Sequence, residues 1–325
     1  MRILVVGAGA TGGYFGGRLL EADRDVTFLV RPRRAAELAQ SGLRIRSRFG
    51  DAVLANPPAI LAGDLRETFD LVLLSSKAYD LDGAMESFAP AVGADTMILP
   101  LLNGMRHLDT LDQRFGRGRV LGGLCIIAAT LNEEREIVHL NDQHALGFGE
   151  RDKTMSDRVS AVARLMEGAR FEVRASAEIL LEMWEKWVFL ASLAASNCLM
   201  RAAVGDIVES PGGAELVVGL LEECRAVAAA EGYPPREAAV ERMRGVLTAP
   251  GSPMTASTLR DMERNGPIEA DHIIGDLLRR GSGLPLLRMA YTHLKAYEVR
   301  RKRTPTAAPA TSLPESSLHL SRGGE

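Results

Sequence analysis

The sequence predicts an α/β protein, a doubly wound and largely parallel sheet followed by an all-helical second part. Two patterns carry this reading. Buried-strand runs alternate with helical segments through the first half, and beyond residue 177 helical periodicity continues without strand signals. A chain of 325 residues exceeds one ordinary core and suits two domains.

The elements follow in order. Residues 2–7 (RILVVG) form a continuous β-rich run, the pattern of a parallel strand covered on both faces. A glycine-rich turn comes next, then a helix to about Ala22 and a second strand at 26–30. Arg31-Pro32 closes that strand, and 33–41 predicts a helix with Gly42 at its end. Residues 70–75 (DLVLLS) and 96–101 (TMILPL) repeat the buried-strand pattern. Runs at 120–131, 136–140 and 145–149 read as later strands on shorter connections, so the sheet is expected to become mixed at its far side. The texture then changes. Residues 177–200 contain neither Gly nor Pro, and helical patterns follow at 214–232, 235–246, 257–265, 268–280 and 285–300. The boundary falls at 172–178, which gives domains of 1–175 and 176–303. Residues 304–325, rich in Pro, Ser, Thr and Ala, predict a disordered tail.

Composition excludes several classes. A net charge of −3 argues against a nucleic-acid or anionic-membrane surface, either of which needs a strongly basic face. Cys125, Cys198 and Cys224 are widely spaced, with no ligand spacing for a metal and no disulfide framework, so reduced thiols in the cytoplasm are expected. The first strand begins at Arg2, so no secretory leader is expected. The longest apolar stretch, 187–200, is short of the roughly 20 residues that span a bilayer. No stripe singles out an oligomer contact, and a homodimer stays open.

Gly7-Ala8-Gly9-Ala10-Thr11-Gly12 fits GxGxxG and sits directly after a buried strand and before a helix. Gly7 permits the tight turn, Gly9 the approach of a pyrophosphate, and Gly12 close packing of helix on sheet. The free N–H groups of the helix start then face the phosphates. Residues 2–31 are therefore read as a Rossmann-type unit for a nicotinamide dinucleotide. The second strand ends in Arg31, with Arg33 and Arg34 behind it and no acid between Thr27 and Ala36. A 2′-phosphate favours that place, so NADP (NADPH) is expected over NAD. Lys77 and Asn103 lie in loops after later strands, where open α/β sheets bind ligands. Lys77 can reach the ribose or phosphates, and Asn103 the nicotinamide ribose or the substrate.

In the helical part, Lys186 stands between Trp184 and Trp187 at the head of an apolar run. Two readings stay open on physical grounds. The amine can be tuned for proton transfer by its surroundings, or it can snorkel to water over the aromatic rings.

The chain resembles the ketopantoate reductases (2-dehydropantoate 2-reductases). The resemblance covers residues 1 to about 300 and rests on GAGATGG at 7–13, Arg31, SKAYD at 76–80, LLNGM at 101–105, WEKW at 184–187 and STLRDMERNGPIEAD at 257–271. It implies a Rossmann domain followed by a helical one, and NADPH-dependent reduction of a 2-oxo acid to a 2-hydroxy acid, a step of pantothenate biosynthesis. It makes Lys186 the general acid and assigns Glu269 a catalytic place, orienting Lys186 or gripping a substrate hydroxyl. Asn103 and Ser257 become substrate contacts. One departure matters. The family carries asparagines one and two turns after the lysine, and this sequence has Leu190 and Ala194. Asn197, at i+11, lies about 16 Å along the axis, too far to replace them. The resemblance implies ketopantoate, reduced to pantoate, as substrate, and the missing amides leave open a less polar 2-oxo acid in its place. The alternatives are a 3-hydroxyacid-type dehydrogenase and a non-catalytic NADP-binding sensor module.

Overall fold

The computed structural model describes residues 1–303; the tail expected at 304–325 lies outside them. The strand-rich part contains β1 (Ile3–Val6), α1 (Ala10–Glu21), β2 (Val26–Leu29), α2 (Pro32–Ser41), β3 (Leu43–Arg46), β4 (Ala52–Leu54), β5 (Ala59–Ile60), β6 (Leu71–Leu74), α3 (Leu81–Phe88), β7 (Met97–Pro100), α4 (Arg106–Phe115), β8 (Gly122–Leu131), β9 (Ile137–Gly149), α5 (Asp157–Met166) and β10 (Glu172–Ala175). The helical part contains α6 (Ile179–Met200), α7 (Val204–Glu209), α8 (Gly213–Ala230), α9 (Glu237–Leu247), α10 (Ser257–Glu263), α11 (Asp276–Arg280) and α12 (Pro285–Arg303).

The first sheet is parallel throughout, in the order β5-β2-β1-β6-β7. Every residue of β1, β6 and β7 is buried, because helices cover both faces. Alternate residues of one strand feed different cores. Leu4, Val6, Val72 and Leu74 join the cluster that runs on to Trp184 and Val188 of α6. Ile3, Val5, Leu71 and Leu73 face Phe15, Phe28 and Phe148 instead. The chain leaves β1 for β2 on one side and places β6 on the other. A crevice therefore opens at the carboxyl ends of β1 and β6, beside the glycine turn.

The far side differs from expectation. Among the described residues, the later strands pair with the first sheet only through a parallel bridge from Val120 to Ile98 of β7 and otherwise form a second, mixed sheet, β10-β9-β3-β4, with β8 antiparallel to β9. The runs expected at 136–140 and 145–149 are one strand, β9. Its polar middle lacks strand propensity, yet its backbone continues past β8. There a register shift falls between Ile127 and Ala129, and the Ala128 N–H donates to Asn141 Oδ1 at 2.9 Å.

In the helical part α6 is the axis, and α8, α12 and α10 pack against it. The single helix expected at 268–280 is instead a π-helical turn over Asp271–Gly275 followed by α11. Such wide turns recur at functional sites. Buried Asn197 near the end of α6 donates to the Ala202 carbonyl at 2.9 Å and accepts from the Ala256 N–H at 2.7 Å, which ties α6 to the start of α10.

Candidate active site

The glycine turn folds as its sequence demands. Gly7 adopts φ +94°, a conformation that favours glycine. The first intrahelical bond of α1 runs from the Gly13 N–H to the Gly9 carbonyl at 2.8 Å, so the N–H groups of Ala10, Thr11 and Gly12 precede it. A Cβ at Gly12 would run into Ser75 Oγ and the Gly7 carbonyl oxygen, whereas one at Gly9 meets nothing within 4 Å. Gly12 is thus packed against the sheet, and Gly9 faces open space. A bare helix start beside such a cradle fits a pyrophosphate.

Around it the charges are already paired. Arg31 is largely exposed and lies 3.0 Å from Asp80. Arg34 is mostly buried. Its Nε donates to the Ala8 carbonyl at 2.9 Å, its Nη1 to Glu37 at 3.1 Å, and its Nη2 is buried without a partner among the described residues. Arg33 and Arg135 also hold Glu37, at 3.1 and 3.0 Å. Burial would raise the Glu37 carboxyl, but its hydrogen bonds from Arg135 and Arg34 outweigh that and hold it below its ordinary value. The sequence reading missed Glu37 as the counter-charge, although its i+3 and i+4 spacing from Arg34 and Arg33 was a signal.

One cleft of about 1210 Å³ runs from this turn into the helical part. Gly9, Ala10, Thr11, Lys77 and Asn103 line it from the strand-rich part, and Lys186, Ser257 and Glu269 from the other. Gly7, Ala8 and Gly12 form the turn without lining the cleft, and Arg31 lies outside its lining.

Lys186 is half-buried on α6 and also lines, with Asn103, Leu102 and Trp187, a small recess off the cleft. Trp184 and Trp187 pack with ring centroids 4.8 Å apart, and Trp187 Nε1 donates to the Ile273 carbonyl at 2.9 Å. The carboxylates beside Lys186 in sequence are committed elsewhere. Glu182 accepts from Ser176 Oγ at 2.6 Å, and buried Glu185 accepts from the Arg236 N–H at 2.9 Å and from its guanidinium. Burial alone would raise the Glu185 carboxyl, but the Arg236 hydrogen bonds hold it below its ordinary value. Among the described residues, Lys186 has no hydrogen-bond or ion-pair partner, so its donors are available to a bound molecule.

Glu269 departs from expectation. Its carboxylate accepts from the Ala78 N–H at 2.8 Å and lies 3.5 Å from Lys77 Nζ, and it does not bond Lys186. Lys77, expected to reach the cofactor, stands between Glu269 and Asp261, both at 3.5 Å. Burial alone would lower that ammonium, but the two carboxylates hold it above its ordinary value. Ser257 opens α10, exposed to the cleft, and the Ala256 N–H that Asn197 accepts immediately precedes it.

Leu190 and Ala194 do face the cleft, and Phe189, Leu193, Met243 and Val246 extend them into an apolar wall. The sequence reading missed the part of this wall on α9, and it missed Ala128, Asn141 and Gln143 of the second sheet. Nothing local marks them, because they reach the cleft only through strand pairing and helix packing. Among the described residues no group of three or more His, Cys, Asp or Glu is placed to hold a metal ion, and no helix is long and apolar enough to cross a membrane.

Residues 3–153 match the family described as Ketopantoate reductase PanE/ApbA, and residues 178–298 match Ketopantoate reductase PanE/ApbA C terminal. An uncharacterised oxidoreductase of Bacillus subtilis (strain 168), YkpB, is 37% identical over 93% of this chain and 100% of its own length. A crystal structure of 2-dehydropantoate 2-reductase from Geobacter metallireducens GS-15 superposes with a TM-score of 0.83 at 29% identity, covering 91% of this chain and 99% of that one. D-mandelate dehydrogenase, solved with NADH and anilino(oxo)acetate, reaches a TM-score of 0.83 at 17% identity over 93% of this chain and 100% of its own, a likeness of fold. The chain belongs to the ketopantoate reductase family, a family of nicotinamide-dependent oxidoreductases.

Proposed function

We propose that this family member is an NADPH-dependent reductase of 2-oxo acids, of 2-dehydropantoate 2-reductase type, whose substrate is less polar than ketopantoate. Residues 1–175 would hold the dinucleotide and 176–303 the substrate. The observation that carries the reading is the shared cleft, in which the bare helix start at Ala10 and the ammonium of Lys186, without a partner among the described residues, line one continuous space.

The turn at Gly9–Thr11 would hold the pyrophosphate, and Arg31 the 2′-phosphate. The chemistry a bound, reduced nicotinamide would supply is hydride for the carbonyl carbon. As negative charge builds on the carbonyl oxygen, Lys186 Nζ stabilises it by a charge-assisted hydrogen bond and then transfers a proton to it. Asn103 and Ser257 would orient the acid, and Glu269 would hold Lys77 or a polar group of the substrate. The apolar wall at Leu190 and Ala194 supports a substrate whose side chain lacks a hydroxyl at that place, because an apolar wall leaves such a hydroxyl unbonded. Three buried, free thiols, Cys125, Cys198 and Cys224, fit a reducing, cytoplasmic setting.

The test follows NADPH absorbance with a panel of 2-oxo acids, for wild type and Lys186→Ala. Turnover is expected to fall about 10²- to 10⁴-fold, the range for a lost general acid, with NADPH affinity little changed. Undiminished turnover in Lys186→Ala removes that residue from the chemistry.

A further inference from the structure

Two histidines meet behind the wall of the cleft. His107 on α4 is fully buried, and His272, second residue of the π-helical turn, is 6% exposed. Nδ1 of His107 lies 3.4 Å from Nε2 of His272, with ring centroids 5.6 Å apart. Nε2 of His107 is buried with no partner among the described residues.

The surroundings keep both rings neutral. Burial pushes His107 well below the ordinary histidine value, and His272, Lys186 and Arg151 add to the effect. Burial also lowers His272. Glu269, Asp276 and the Asn103 backbone oppose that without reversing it, and Arg106 reinforces it. Two neutral imidazoles meeting nitrogen to nitrogen share one proton, so one ring donates and the other accepts. The orphaned nitrogen decides which. A buried N–H without an acceptor costs more than a buried lone pair without a donor, so His107 carries its proton on Nδ1 and donates to His272. His272 then carries its own proton on Nδ1.

The pair lies where three site segments converge. The backbone of Asn103 lies beside the His272 ring. Gly104, at φ +77°, packs so closely that a Cβ there would stand 3.1 Å from the His272 carbonyl oxygen and 3.2 Å from its ring. The His272 N–H donates to the Glu269 carbonyl at 3.1 Å, and the next residue, Ile273, accepts from the indole of Trp187, the neighbour of Lys186.

We propose that His107 and His272 are positioning residues for the cleft, a proton-sharing pair that pins the Asn103–Gly104 loop to the turn following Glu269. The inference rests on reading Asn103, Lys186 and Glu269 as the substrate site. Protonating His272 would set two donors face to face or drive the His107 proton onto its buried, partnerless Nε2, and either outcome weakens the pair that holds the Asn103 loop.

The first test needs no substrate. Long-range 1H–15N spectra of the intact, 15N-histidine-labelled protein are expected to show two histidines as neutral Nδ1–H tautomers from pH 7 down to pH 6, with Gln substitutions assigning them. A His107 or His272 ring found as Nε2–H, or charged at pH 6, overturns the pair. The second test is His272→Phe, which keeps the ring and removes its nitrogens. It is expected to lower kcat/KM for the accepted 2-oxo acid at least about fivefold, the scale of one lost hydrogen bond, and to leave NADPH affinity within about twofold. His272→Gln, which can still accept from His107, is expected to restore part of the loss. Unchanged kcat/KM in a folded His272→Phe overturns the positioning role. If the wild type reduces no 2-oxo acid, the reductase reading fails, and the tautomer spectra still decide the pairing.

Discussion

The ammonium of Lys77 lies 3.5 Å from the carboxylate of Glu269, and this ion pair joins the strand-rich and helical parts across the cleft. Asp261 flanks the same ammonium at 3.5 Å. A cation from the strand-rich part and an acid from the helical part therefore stand as partners of one another.

That pairing makes Lys77→Met informative. Half-exposed ion pairs contribute about 1 kcal/mol or less, so the melting temperature is expected to move little. NADPH affinity, measured by fluorescence titration, is expected to weaken about tenfold through loss of one charge-assisted contact. A large drop in melting temperature with unchanged NADPH affinity would make the pair a structural clasp only.

Arg31 lies outside the lining of the cleft and is held by Asp80. Arg31→Ala is expected to weaken NADPH binding about tenfold or more, while NADH binding changes little, because only the former carries a 2′-phosphate. Asp80→Asn releases the guanidinium and is expected to tighten NADPH. Equal losses for both dinucleotides with Arg31→Ala would count against the phosphate role.

The apolar wall predicts a specificity change. Placing amides at Leu190→Asn and Ala194→Asn together is expected to move the ratio of kcat/KM values toward hydroxylated 2-oxo acids by about tenfold or more. An unmoved ratio in a folded double variant would show that the substrate does not meet this face.

Asn197 illustrates a polar group in a structural place. Asn197→Ala removes two buried hydrogen bonds and is expected to cost about 2–4 kcal/mol in urea unfolding. Asn197→Asp keeps the acceptor for the Ala256 N–H but sets a buried carboxylate oxygen against the Ala202 carbonyl, and is expected to cost at least as much as Asn197→Ala. A loss below about 0.5 kcal/mol for Asn197→Ala would contradict the tie between α6 and α10.

Acid should weaken the fold through its histidines. Burial lowers His107 and His272, so between their folded values and the ordinary 6.5 the unfolded chain binds more protons. Their contribution is complete above 6.5 and is lost as pH falls below it. Unfolding free energy is expected to decrease from pH 7 to pH 5, and less steeply in the His107→Phe, His272→Phe double variant. Identical slopes would assign the acid effect to other groups, among them His144 and His293, which burial also lowers.

Much of the site was legible because its signals are local. The glycine turn announces itself by spacing between a buried strand and a helix. Lys186 stands out as a charge inside an apolar helix, and the resemblance drew Asn103, Ser257 and Glu269 toward it. The structure places all four on one cleft. Glu37, Arg236 and the α9 part of the apolar wall were not legible, since their significance depends on partners distant in sequence or on which helix face turns inward.

The alternation of strands and helices through the first half, the glycine turn and the change to helices near residue 177 follow from residue order, since periodicity and turn chemistry act over a few residues. Long-range packing settled that the later strands form a second sheet, that residues 271–275 widen into a π-turn, and that Glu269 pairs with Lys77 while Lys186 has no partner among the described residues. Pairing register and carboxylate partners are settled by contacts between residues up to hundreds of positions apart, and there burial and charge compete over the whole packed interior rather than along the chain.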